Sequence, residues 1–206
     1  MTLMTEPDVR LMLTPFGALQ AFAELHPAPH WAQLQTLMGA DIAPHAAAWV
    51  QAGSGRGELL AQATREGWVH TVMRELRAPD VRLDNFLPHV IAGLSGQRTA
   101  ALASEGGFCI GRAGYTQEQA DILCAAAADF SEFAARQRRR GWPGAGRFVA
   151  FHQDAAMLLP STSFVPFWVD GVAYSLILEG EPLLNNTALV ELIWGVRTSG
   201  ARFSPA

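Results

Sequence analysis

At 206 residues, half of them apolar, the chain has enough material for a proper core and fits one large domain, or a domain of about 100–130 residues with a smaller appendage. Charged residues make up 17%, below the roughly 25% of an average soluble domain, which points to surface that an oligomer or a complex covers. A net charge of −4 and a pI near 5.8 argue against a general nucleic-acid binder, and the absence of lysine excludes Schiff-base chemistry and a P-loop lysine.

All fifteen basic residues are therefore arginine, which reads as a GC-rich genome. From Met1 to Phe22, Glu6 and Asp8 stand where a secretory signal would be positive, and Pro7 and Pro15 interrupt the apolar stretches, so no signal peptide is expected. No apolar run reaches 18 residues, so no membrane span is expected. Two cysteines, Cys109 and Cys124, lack metal-ligand spacing and are too few for a disulfide framework. They predict buried thiols in a reducing cytoplasm.

From Leu11 to about Arg77 the pattern predicts four short helices, broken at 26–29, 39–41 and 53–57 by proline and glycine turns. The last runs from Glu58 to Leu76, with Leu59, Ala63, Val69, Val72, Met73 and Leu76 near helical spacing. Ala78-Pro79-Asp80 then separates a small all-α region, 1–78, from an α+β domain, 79–206.

In the second part, Leu83, Phe86, Leu87, Val90, Ile91 and Leu94 form a helical stripe, with Asp84 or Asp80 as candidate N-cap and Gly96 past its end. Pro88 inside it predicts a late start or a kink. Thr99–Ala103 and Phe108–Gly111 predict two strands around a Gly106-Gly107 turn. Thr116 with Gln119 is a capping-box pattern opening the best-marked helix, which Arg136, Arg138, Arg139 and Arg140 close in favourable alignment with the helix dipole. Its interior, 122–128, is apolar almost all round, so two covered faces are expected. Strands are predicted at Arg147–His152, Ala155–Leu159, Val165–Val169 and Val172–Leu178, the last two joined by Asp170-Gly171. Asn186 or Thr187 caps a closing helix that ends near Gly195 or Arg197.

This order of helix, Ala-Ala-Leu-Ala-Ser-Glu-Gly-Gly-Phe hairpin, alanine-rich helix, strands and short closing helix resembles the Roadblock/dynein light chain family over roughly Leu83 to Arg197. Thr99 to Tyr115 is the closest wording, and Phe164–Asp170 departs from the family as an extra or an elongated strand. The resemblance implies a five-stranded antiparallel sheet with helices on its faces. It also implies a homodimer in which the first strand after the long helix pairs with its twofold mate. Here that strand is Arg147–His152, whose apolar run Phe148 to Phe151 would be an aggregation hazard if left open. Ala127, Phe130, Phe133, Ala134, Phe148 and Ala150 are the expected interface residues, and Arg136, Arg138, Arg139, Arg140 and Trp168 the expected contacts to a partner protein. Bacterial members of the family regulate small Ras-like GTPases or act as polarity and motility scaffolds.

Signals for chemistry are weaker. Gly53 to Glu58 lacks the Lys-Ser/Thr pair and the preceding strand of a phosphate loop. Prolines between His26 and His30 break the helical face a metal would need. His152 with Asp154 reads as a solvated turn, and Cys109 as an inert thiol. A non-catalytic docking module without a cofactor is the expectation. The alternative is a ligand sensor with a cavity beside Trp168 and Tyr174, drawn from an aromatic cluster of Phe164, Phe167, Trp168, Tyr174, Trp142 and Trp194.

Overall fold

The computed structural model describes residues 9–203 except 81, 155 and 157, so the acidic Glu6 and Asp8 lie outside it. Near-continuous apolar runs, buried on both faces, build one five-stranded antiparallel sheet in the order β4-β3-β7-β6-β5. Its strands are β3 (Ala100–Ser104), β4 (Cys109–Ala113), β5 (Val149–Phe151), β6 (Thr162–Val169) and β7 (Val172–Glu179). Ala101, Ala103, Phe164 and Ile177 point to one face and meet Ala120, Cys124 and Ala127 of helix α6 (Gln117–Arg139). Ala100, Leu102, Val165, Phe167, Leu176 and Leu178 point the other way, onto α5 (Leu83–Ala92) and α7 (Thr187–Phe203). The chain is thus α+β, with the five-stranded sheet and flanking helices that the family resemblance implies.

The hairpin signals hold because the backbone accepts them. Asp170 and Gly171 both take positive φ, 48° and 86°, and close a two-residue turn between Val169 and Val172. The Thr116–Gln119 capping box forms in both directions. Asn186 accepts from the Ala188 N–H at 3.0 Å at the start of α7.

Residues 9–78 are not all helical. Helices α1 (Pro15–Ala21), α2 (Pro29–Gln35), α3 (Ala46–Gln51) and α4 (Arg56–Arg65) occur, but β1 (Arg10–Leu13) pairs with β2 (Val69–Val72) in a separate two-stranded sheet. The helix expected from Glu58 to Leu76 therefore stops at Arg65. Gly67 follows at φ 70°, and Val69 and Val72 serve a strand, as their β-branched side chains favour. This region closes over α7: the Trp194 indole donates to the Ala40 carbonyl at 2.8 Å, and Phe22 is fully buried. Leu11, Leu13, Leu34 and Leu37 share one continuous apolar core with Ile91, Phe167 and Trp194.

Other boundaries also shift. Helix α5 starts at Leu83, ahead of Pro88, with Arg82 rather than an aspartate at its N-cap. Helix α7 passes Gly195 and Arg197 to reach Phe203; Gly195 is a close-approach point, where a Cβ would stand 2.7 Å from the Phe86 ring. Only 149–151 of the Arg147–His152 segment pair as a strand. Of the strand expected at Ala155–Leu159, Ala155 and Met157 lie outside the described residues, and Ala156, Leu158 and Leu159 are loop. Among the described residues three strands follow α6, so the Phe164–Asp170 segment belongs to one elongated strand, Thr162–Val169, and not to an extra one.

Candidate docking surface

Strand β5 is one edge of the sheet and β4 the other. The ladder direction of β5 follows from the Asp170-Gly171 turn. In a two-residue hairpin the flanking residues Val169 and Val172 exchange hydrogen bonds, so Val169, Phe167, Val165 and Ser163 face β7, and Trp168, Pro166, Phe164 and Thr162 face the β5 side. The Trp168 N–H, turned outward to the Phe22 carbonyl at 2.9 Å, agrees. Phe164 and Thr162 therefore bond Val149 and Phe151, which leaves the N–H and C=O of Ala150 on the open edge.

Around that edge the large apolar side chains Phe133, Trp142, Phe148, Phe151, Leu158 and Leu159 are all more than a third exposed. Phe130 is half-buried between Phe164, 4.9 Å away edge to face, and Phe151 at 5.8 Å. Phe133 meets Trp142 edge to face at 6.5 Å. Ala127 and Ala134 lie on the buried stripe of α6, so as the fold stands they face the sheet of their own chain. The second covered face expected for α6 is open here, and Ile122, Ala125 and Phe133 are exposed.

The arginine run occupies the far end of α6. Arg136 pairs with Glu132 at 3.4 Å, while Arg139 and Arg140 are exposed. Arg138 lies over the Trp168 ring, 5.7 Å from its centroid. Below β5 a cleft opens between α1 and this corner. Its three lobes, of about 250, 210 and 130 Å³, all meet at Arg147. Leu19, Ala23, Phe148 and Pro166 line the first lobe, Glu24 and Trp31 the second, and Arg138 and Trp168 the third. Sequence reasoning missed Arg147, Leu19 and Ala23, because only tertiary folding brings residues 19–31 to residues 138–168.

The remaining candidates separate. Trp168 faces α6 and Tyr174 faces α7, where it stacks on Phe167 at 5.4 Å, so the two do not share a cavity. The space under α6 beside Trp168 is about 30 Å³, enough for one water molecule. His152 contacts the Leu159 carbonyl and Asp154 accepts from the Ala156 N–H, so they do not engage each other. His30 packs on Trp31 and Trp68. Residues 53–55 form the turn between α3 and α4, with Arg56 stacked on Trp49. Burial, together with the neighbouring Cys109, pushes the Cys124 thiol up to about 12. Burial and the Glu179 carboxylate to which it donates at 2.6 Å raise the Tyr115 hydroxyl above its ordinary range. No described helix is long and apolar enough to cross a membrane.

Comparison with known protein families and with curated proteins gives no match. Among solved structures, the chain is similar to the crystal structure of a Roadblock/LC7 domain from Streptomyces avermitilis. The match has 18% identity and a TM-score of 0.33, and covers 56% of this chain and 93% of that one.

Proposed function

We propose that the chain is a non-catalytic protein-docking module that pairs with a second copy of itself through the open edge of β5 and the outward face of α6. The carrying observation is the register that turns the backbone of Ala150 outward, without a partner among the described residues, beside exposed Phe133, Phe148 and Phe151. An apolar edge strand left open invites uncontrolled pairing, and a twofold mate satisfies it in a closed way. The region 1–78 acts as an appendage to the domain 79–206, its described residues 9–78 capping the α7 side and leaving the α6 side for contacts. Unbridged Cys109 and Cys124 fit a cytoplasmic setting.

Sedimentation velocity over a micromolar concentration series tests the pairing: a dimer is expected, and a strict monomer at every concentration overturns it. A small Ras-like GTPase, or a polarity or motility complex, is the partner class that the family resemblance adds. Its test is the GTP hydrolysis rate of small GTPases from the source cell with and without the chain; no change for any of them removes that partner class.

A further inference from the structure

The cleft at Arg147 has a physical origin in β6. Continuing the β5–β6 register past Val149 and Phe164 would bring Arg147 opposite Pro166, but Pro166 has no N–H to offer a neighbouring strand. The chain peels away there, and β6 runs on without a strand partner on that side up to Trp168. The one N–H this stretch of edge does present, that of Trp168, is already taken by Phe22. A partner cannot bind here by adding a strand, so recognition falls to side chains.

Those side chains are cationic and apolar. Neither Arg138 nor Arg147 has an ion pair among the described residues, and Arg138 lies over the Trp168 ring at 5.7 Å from its centroid. Glu24 is the carboxylate that lines the cleft among the described residues. Each lobe is smaller than the roughly 300 Å³ at which small-molecule pockets begin, and each is open to solvent. A string of small open lobes around one cation suits an extended chain better than a compact enclosed ligand. The lobe between Leu19, Ala23, Phe148 and Pro166 has room for one leucine or phenylalanine side chain.

We propose that this cleft receives an extended acidic segment of a partner protein, with its carboxylates on Arg138 and Arg147 and one apolar side chain seated between α1 and Pro166. This rests on the reading of the chain as a docking module but not on its self-pairing.

The test is fluorescence anisotropy of the full chain with a labelled peptide of aspartates around a central leucine. Arg147→Ala and Arg138→Ala should each weaken binding about tenfold, as expected for losing a charge-assisted hydrogen bond. Glu24→Gln should tighten it, an outcome that misfolding would not produce. Replacing the peptide leucine by alanine should weaken it, and Ala150→Pro, which targets self-pairing, should leave it unchanged. Equal binding of a lysine counterpart peptide, or indifference to both arginine substitutions, would overturn the proposal. So would displacement of the peptide by inorganic phosphate or by anionic vesicles at matched charge, since a general anion site or a membrane surface would then be the occupant.

Discussion

Ala150→Pro is the sharpest probe of the β5 edge. Val149 and Phe151 make the bonds to β6, so a proline at Ala150 removes no hydrogen bond within the chain, and edge positions tolerate proline. In the twofold pair each protomer loses one N–H donor. Two bonds worth about 1 kcal/mol net each disappear, and each acceptor left buried adds about 1–3 kcal/mol. The two bonds alone, about 2 kcal/mol, weaken dimerisation about 30-fold, and the buried acceptors and the proline ring crowding the partner strand add to it. Sedimentation velocity on the wild type and the variant reads the shift, with thermal melting of the monomer as the control. Phe133→Ser on α6 supplies a second perturbation that leaves the ladder intact, and it too should weaken pairing. If Ala150→Pro associates with the wild-type concentration dependence and melts normally, the edge is not the interface.

Gly17→Ala should be destabilising despite its helical position, because a Cβ there overlaps the Trp68 carbonyl oxygen and stands 2.7 Å from its carbon. Overpacking of about 1–3 kcal/mol exceeds the roughly 1 kcal/mol gained in helix propensity, and a lowered melting temperature checks it. Trp194→Phe leaves the Ala40 carbonyl without its donor and should cost about 1–3 kcal/mol, read as a lower urea midpoint at unchanged slope. Loss of a single cooperative transition in that variant would show that residues 9–78 unfold apart from the rest. Cys124, with its thiol pKa pushed up to about 12, is almost entirely protonated at neutral pH, since a raised pKa favours the thiol over the reactive thiolate. Alkylation followed by mass spectrometry should label half-buried Cys109 first and Cys124 only on unfolding or at strongly alkaline pH. Thr116→Ala should cost about 1 kcal/mol by removing the cap of α6, read by chemical denaturation.

Local signals carried through wherever the chemistry is local. The capping box at Thr116 and Gln119, the Asp170-Gly171 turn and the apolar runs of β3 and β7 depend on residues a few positions apart, and each stood in the amino-acid sequence. So did the order of helices and strands after Leu83, apart from the strand expected at Ala155–Leu159, whose described residues are loop. The sequence misled where short apolar segments fit both periods: Val69 and Val72 suit a helix face as well as a strand, and only pairing with Arg10 and Leu13 decides.

The candidate site was half legible. The arginine run and the apolar stretch 148–151 could be picked out, because charge and hydrophobicity are properties of the residues themselves. Which of them face solvent was not, since Ala127 and Phe133 share one helix and only its rotation against the sheet buries the first and exposes the second. The cleft at Arg147 exists because α1, more than a hundred residues away, packs across an edge that Pro166 keeps free of strands. By itself, then, the sequence determined the capped helix, the glycine turns and most of the elements after Leu83. Tertiary contact decided which faces are covered and where the open edge and the cleft lie, because burial is a property of pairs of surfaces and not of single residues.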